Sequence, residues 1–310
     1  MAGARVAIHI GYHQTASTWF QQVVVPRHPM IRSWLTGAPA NDPFLAEIIG
    51  CSDLGFDPSR ARSRFEDRAA QLQVPHGGLL MISAERLSGD AASGGYDEVR
   101  IAERLASVLP DAKVFAVVRE QVDMIESEYH RLVLEGLTAS LPTLLESRPN
   151  WKTVVFDPGH YEYDRLAGEY VRLFGAERFR LFEFCAMCAK PALFLTELAD
   201  FLEIEPWPQL DDSDLTLRMN ADAPRRLLGA RRVLNNFQRS ALNPYPVADV
   251  RPVWRSPLSA LASRLPPPKA PLLDDEARAR LRERFHHSNR RLAAEFGIEF
   301  AQPTAASPRS

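Results

Sequence analysis

Four short, mostly apolar runs constrain the fold of this chain more than any other feature: Val6–Ile10, Leu79–Ser83, Val114–Val118 and Arg178–Phe182. They are bounded by Gly, Asp or Arg. A strand wetted on one face alternates polar and apolar residues, whereas a strand covered on both faces does not. These runs therefore fit parallel strands with helices on either side. Helical patterns stand between them: Pro58–Gln73, Val99–Leu109, Val122–Glu135, Tyr161–Phe174 ending at Gly175, and Pro191–Leu202 with proline at an early helical position. The alternation predicts an α/β fold, a three-layer, P-loop-like arrangement with a mostly parallel central sheet and right-handed crossovers.

The last third changes character. Ala223–Gln238 reads as a basic helix, and the proline-rich stretch Asn243–Leu273 as an irregular excursion or lid. Asp274–Phe296 reads as a charge-laced helix with Asp274, Asp275 and Glu276 at the positive end of its macrodipole. The expected organisation is one domain over 1–300, with a core over about 5–205, a helical and lid region over about 206–300, and a disordered tail, 301–310. A net charge of −2 gives no reason to expect nucleic acid as a partner. Cys185 and Cys188 form a lone C-x-x-C, which without a second pair reads as two ordinary cysteines near a helix start rather than a metal site. The first residues lack the apolar length and cleavage site of a signal peptide, and no window approaches the ~18 apolar residues of a transmembrane segment. A cytoplasmic protein is expected.

The segment VAIHIGYHQTASTWFQ, Val6–Gln21, carries the first chemical signal. A strand ends at Gly11, where the chain can turn sharply. Thr15, Ala16 and Ser17 are small enough for backbone N–H groups to approach an anion. Ser17 and Thr18 add hydroxyls at a helix start, whose partial positive charge favours an anion. The plainer alternative is a strand-to-helix turn capped by a serine. A Walker A loop is not matched, because a lysine should precede Ser17-Thr18 and Ala16 stands there.

The pattern resembles the 5′-phosphosulfate loop of the sulfotransferase superfamily, enzymes that use 3′-phosphoadenosine 5′-phosphosulfate (PAPS). The resemblance maps the family's loop lysine onto Gln14, and its phosphate-binding amides and hydroxyls onto Thr15, Ala16, Ser17 and Thr18. It places Trp19 where many members set a tryptophan against the adenine. A second segment, AKVFAVVREQVDMIESEYHRLVLEG, puts Arg119 after the third strand and Ser127 inside the next helix. An arginine fork suits a phosphate, and a hydroxyl two turns into the helix can point back at the same place. The resemblance assigns both to the 3′-phosphate; the plainer reading of Arg119 is an ion pair with Glu120 or Glu126. A third segment, GLLMISAERLSG, sets Glu85 past the C-terminal end of a strand, the edge that faces the ligand crevice of an open α/β sheet. Carbohydrate sulfotransferases carry a glutamate in a comparable place as general base; the plainer reading is a carboxylate paired with Arg86 or another arginine. With Ile82–Gly89, Val118–Gln121 and Tyr161–Asp164, the chain is similar to bacterial members over roughly residues 5–205, with weaker echoes over Arg284–Ile298.

The resemblance implies transfer of a sulfuryl group from PAPS to a hydroxyl or amine of a glycan, lipid-linked sugar or small metabolite, with Glu85 as base, 3′,5′-bisphosphate (PAP) as product and no metal. Gln14 keeps a hydrogen-bond donor but brings no charge. The enzyme could then be slower, another cation such as His13 could substitute, or the protein could bind nucleotide while catalytically impaired. A P-loop kinase or NTPase is the weaker alternative. His9 is expected as a core or cleft histidine, and His286-His287 as solvated. Arg225-Arg226 and Arg231-Arg232 are expected on a solvated face, and Tyr245 and Trp254 in a packed lid or an acceptor wall.

Overall fold

A computed structural model describes residues 5–35, 41–148, 152–208, 210–211, 228–249 and 272–300. The apolar runs become four of five strands: β1 (Arg5–His9), β2 (Ile31–Leu35), β3 (Leu79–Ser83), β4 (Lys113–Val118) and β5 (Phe179–Glu183). They form one all-parallel sheet in the order β2-β3-β1-β4-β5. Sequence reasoning missed β2, because Arg32 and Ser33 interrupt its apolar pattern and it lies at the sheet edge beside β3 alone.

The near-continuous hydrophobicity has the expected cause, since alternate residues of each central strand enter different cores. On one face Ala7, Met81, Phe115 and Val117 pack with Trp19, Phe20, Val24 and Leu198. On the other, Ile8, Ile82, Val114 and Ala116 pack with Phe65, Leu105, Ile125, Leu166 and Phe285.

The helix after β1 starts as α1 (Ser17–Trp19), widens to a π-helix over Phe20–Val24 and closes as α2 (Val25–Arg27). The longer helices that follow are α3 (Pro58–Gln71), α4 (Glu98–Val108), α5 (Gln121–Glu135) and α6 (Tyr163–Phe174), then the short α7 (Phe184–Ala189) and α8 (Pro191–Leu202). In the last third, α9 (Leu228–Asn235) represents the expected basic helix and α10 (Asp275–Phe296) the charge-laced one. Asp274 caps α10 by accepting from the Ala277 N–H at 2.7 Å. Arg225, Arg226, Trp254, most of the proline-rich stretch and the tail after residue 300 lie outside the described residues. Among the described residues no helix is long and apolar enough to cross a membrane.

Contacts from the last third reach the sheet-flanking layer. Asn235 on α9 donates to the carbonyls of Val133 (2.7 Å) and Leu137 (2.8 Å) at the end of α5. α10 meets α5 through the Arg278–Glu126 ion pair and through Asn289, which donates to Gln121 at 3.2 Å. These contacts fix the helix that carries Ser127. The chain passes from β3 across β1 to β4, so the C-terminal ends of these strands flank the switch point where open α/β sheets bind ligands.

Candidate functional site

Three segments leave the sheet at that edge: the loop after β1, the turn after β3 and the start of α5 after β4. The loop is strained. Gln14 and Ala16 hold left-handed backbone angles, with φ of 64° and 60°. Such conformations cost a non-glycine residue on the order of 1–2 kcal/mol each and concentrate at functional sites. A turn that switches between right- and left-handed residues gathers its N–H groups into an anion-binding concavity. The loop closes on itself where Thr15 Oγ1 donates to the Tyr12 carbonyl at 2.6 Å. Ser17 Oγ is buried without a hydrogen-bond partner. A buried hydroxyl left over at the mouth of an amide-lined turn suits an anionic oxygen.

Gly11 is required by a close approach. A Cβ there would lie 2.9 Å from His9 Nε2 and 3.4 Å from Ser17 Oγ. His9 is a buried polar residue on the face of β1 that carries Ala7. Its Nδ1 meets Ser83 Oγ at 2.8 Å across the parallel register, and Gln21 Nε2 donates to the same oxygen at 2.9 Å. Burial lowers the His9 pKa to about 4, against a smaller upward pull from Glu85. The imidazole is therefore neutral when folded and titrates normally when unfolded, so the unfolded chain binds more protons between pH 6.5 and 4. Stability should fall as pH drops through that window. The His9 share is about 2 kcal/mol between pH 7 and pH 5, read as the difference in denaturant stability that wild type loses and His9→Gln keeps. Equal losses in both chains would show that His9 is not the group responsible.

Glu85 opens a short 3₁₀ turn, Glu85–Ser88, directly past β3. Its carboxylate faces back across β1 and meets His13, with Nδ1–Oε2 at 2.7 Å. Burial alone would raise the Glu85 pKa. The hydrogen bond and charge of His13, with lesser help from Ser17 and His9, bring it below the ordinary carboxylate value. Ser17 contributes as a nearby dipole, since its hydroxyl makes no formed hydrogen bond. Arg86 does not pair with Glu85; it pairs with the fully buried carboxylate of Asp97 and so anchors the turn.

On the other side, Ser127 Oγ donates to Gln14 Oε1 at 3.4 Å, a long contact that joins α5 to the loop. Arg119 follows β4, and its guanidinium lies 5.1 Å from the centre of the Phe184 ring. The two partners its spacing suggested are engaged elsewhere, Glu120 with Arg282 and Glu126 with Arg278. The structure thus brings together His13, Ser17 and Glu85, and joins Gln14 to Ser127. Thr18 is half-buried at the helix start, and Trp19 is buried in the helix-to-sheet layer.

Sequence reasoning did not single out Tyr163. Its hydroxyl donates to the Arg119 carbonyl at 2.9 Å, and its ring packs edge-on to Tyr12 of the loop at 4.8 Å. Its only signal was its place in the Tyr161–Asp164 segment. Cys185 and Cys188 are free thiols, and burial pushes both up to about 11, so neither is an activated nucleophile. His286 and His287 are exposed.

No family model and no curated protein matches the chain. Solved structures do. A sulfotransferase from Alicyclobacillus acidocaldarius is similar at 15% identity, over 81% of this chain and 98% of its own, with a TM-score of 0.47. The sulfotransferase domain of the Synechococcus PCC 7002 olefin synthase is similar at 16% identity, over 92% and 96% of the two chains, with a TM-score of 0.44. A mouse sulfotransferase complexed with PAP is similar at 13% identity, over 93% and 85%, with a TM-score of 0.40.

Proposed function

We propose that this chain is a sulfotransferase that moves a sulfuryl group from PAPS to a hydroxyl or amine of a glycan, a lipid-linked sugar or a small metabolite. The observation that carries this reading is the loop after β1: two left-handed non-glycine residues and an unpartnered buried hydroxyl at a helix start, facing a carboxylate–imidazole pair. Strain of that kind persists where a ligand uses it.

The nucleotide, when bound, supplies the sulfuryl group and a phosphate leaving group. The amides of Thr15, Ala16, Ser17 and Thr18 and the hydroxyls of Ser17 and Thr18 hold its 5′ end, and Arg119 with Ser127 holds the 3′-phosphate. The Glu85–His13 pair removes the acceptor's proton. Gln14 offers a neutral amide where the resemblance places a lysine. Charge-assisted hydrogen bonds are about twice as strong as neutral ones. Loss of a preorganised donor costs about 10²–10³ in rate, and Gln14 keeps one donor, so the enzyme works more slowly than a lysine-bearing loop would.

Calorimetric titration with PAP, with 5′-AMP and ATP–Mg²⁺ as controls, tests the reading. Binding of PAP at least tenfold tighter than of 5′-AMP is expected. Equal affinity for the two, or tight binding of ATP only with Mg²⁺, would replace the sulfotransferase reading with that of another nucleotide-binding protein.

A further inference from the structure

We propose that His13 Nε2 is the atom that takes the acceptor's proton, and that Glu85 is the positioning residue that leaves that nitrogen bare. The inference rests on the sulfuryl-transfer reading and assigns roles within the same pair.

The argument starts from the 2.7 Å contact between His13 Nδ1 and Glu85 Oε2. An ionised carboxylate only accepts hydrogen bonds, so a neutral imidazole can meet it in one tautomer, with the hydrogen on Nδ1 and a lone pair on Nε2. The hydrogen bond donated by His13 Nδ1 favours the ionised form of Glu85 and works against its burial. A carboxylate held in that state is a poor final resting place for a proton. A proton added to Nε2 instead gives an imidazolium already hydrogen-bonded to a carboxylate, whereas a proton added to Glu85 abolishes the pair's attraction. Both side chains remain reachable, at 19% exposure for His13 and 30% for Glu85.

His13 also adjoins Gln14 within the anion loop. In the step, the acceptor O–H (or N–H) bond breaks and its proton goes to His13 Nε2. The freed electron pair forms the new bond to sulfur. The bond from sulfur to the 5′-phosphate oxygen breaks, and its pair leaves with the phosphate. A positive charge thus appears one residue from the uncharged Gln14 as negative charge grows on the leaving phosphate. The proton drawn from the acceptor supplies at the moment of transfer the charge that a lysine would hold permanently.

Long-range ¹H–¹⁵N correlation spectra of the ¹⁵N-histidine-labelled full chain at neutral pH test this, with His13 assigned by the signals lost in His13→Gln. The expected result is a protonated Nδ1 and a bare Nε2, in free protein and with saturating PAP. In Glu85→Ala the Nε2–H tautomer should gain. A wild-type Nε2–H tautomer, a doubly protonated ring, or a tautomer that Glu85→Ala leaves unchanged would overturn the assignment. If PAP moves no His13 signal and gives no heat of binding, the sulfotransferase reading fails, while the tautomer of the free protein still reports on the pair.

Discussion

Arg119→Ala is expected to weaken PAP binding by about a hundredfold while changing 5′-AMP affinity less than about threefold. The guanidinium stands past β4 on the ring of Phe184, and Glu120 and Glu126 pair with arginines of α10. Each hydrogen bond to a charged group is worth about 1.5–3 kcal/mol, and a bidentate arginine makes two. Even with part of that offset by water, about 2–3 kcal/mol remains, which is roughly a factor of 30–150 in affinity. Arg119→Lys keeps the charge but not the fork and should recover only part of the loss. Calorimetry on both variants decides the matter. A parallel loss of 5′-AMP affinity would mean that Arg119 supports the loop as a whole, and no loss would remove it from the site.

The largest effect on stability is expected at Phe115. Its ring is fully buried in β4, stacked on His9 at 4.9 Å, and meets Phe20 and Phe182 edge-on at 5.7 and 6.1 Å. It joins the strand under the loop to the helix that follows the loop. Truncation of such a ring to alanine removes its transfer free energy and leaves a cavity among rigid aromatic neighbours, at a cost of about 3–5 kcal/mol. For a chain of this size the melting temperature should drop on the order of 10 °C. Phe115→Leu, which refills part of the space, should cost less than half as much. Denaturant unfolding of both variants measures this. A loss below about 1 kcal/mol for Phe115→Ala would mean that the aromatic layer collapses around the gap and is not the rigid support described.

The strands were legible where a single physical cause dominated. Burial on both faces leaves little room for polar residues, and β3 carries that signature over its whole length. In β2 the same chemistry is diluted by Arg32 and Ser33, and an edge strand pairs on one side only. The residue types of the site were legible in the loop and at the strand ends, but the pairings were not. His13 and Glu85 meet because the β1–β3 register aligns His9 with Ser83, so the residues that follow leave the sheet side by side. Nothing local to either segment fixes that register. The plainer partners considered for Arg119 were likewise reasonable by spacing. They are taken by Arg278 and Arg282 on a helix whose docking a local pattern cannot place.

The π-helical stretch Phe20–Val24 has a consequence for how this chain lines up with others. A π turn accommodates one residue more than the α turn it replaces, and π turns often stand next to functional sites. Each residue advances an α-helix by about 100°. Without the wider turn, everything beyond it would be rotated by about that amount. Ser17 lies at the loop, while Trp19 and Phe20 at the start of the wider turn and Val24 and Val25 at its end all enter the core that Ile31 of β2 shares. A chain with a similar loop followed by an uninterrupted α-helix would therefore match this one on both sides only through a one-residue gap inside Phe20–Val24. An ungapped alignment anchored on the loop would pair every later residue of the helix with a neighbour that faces the wrong way.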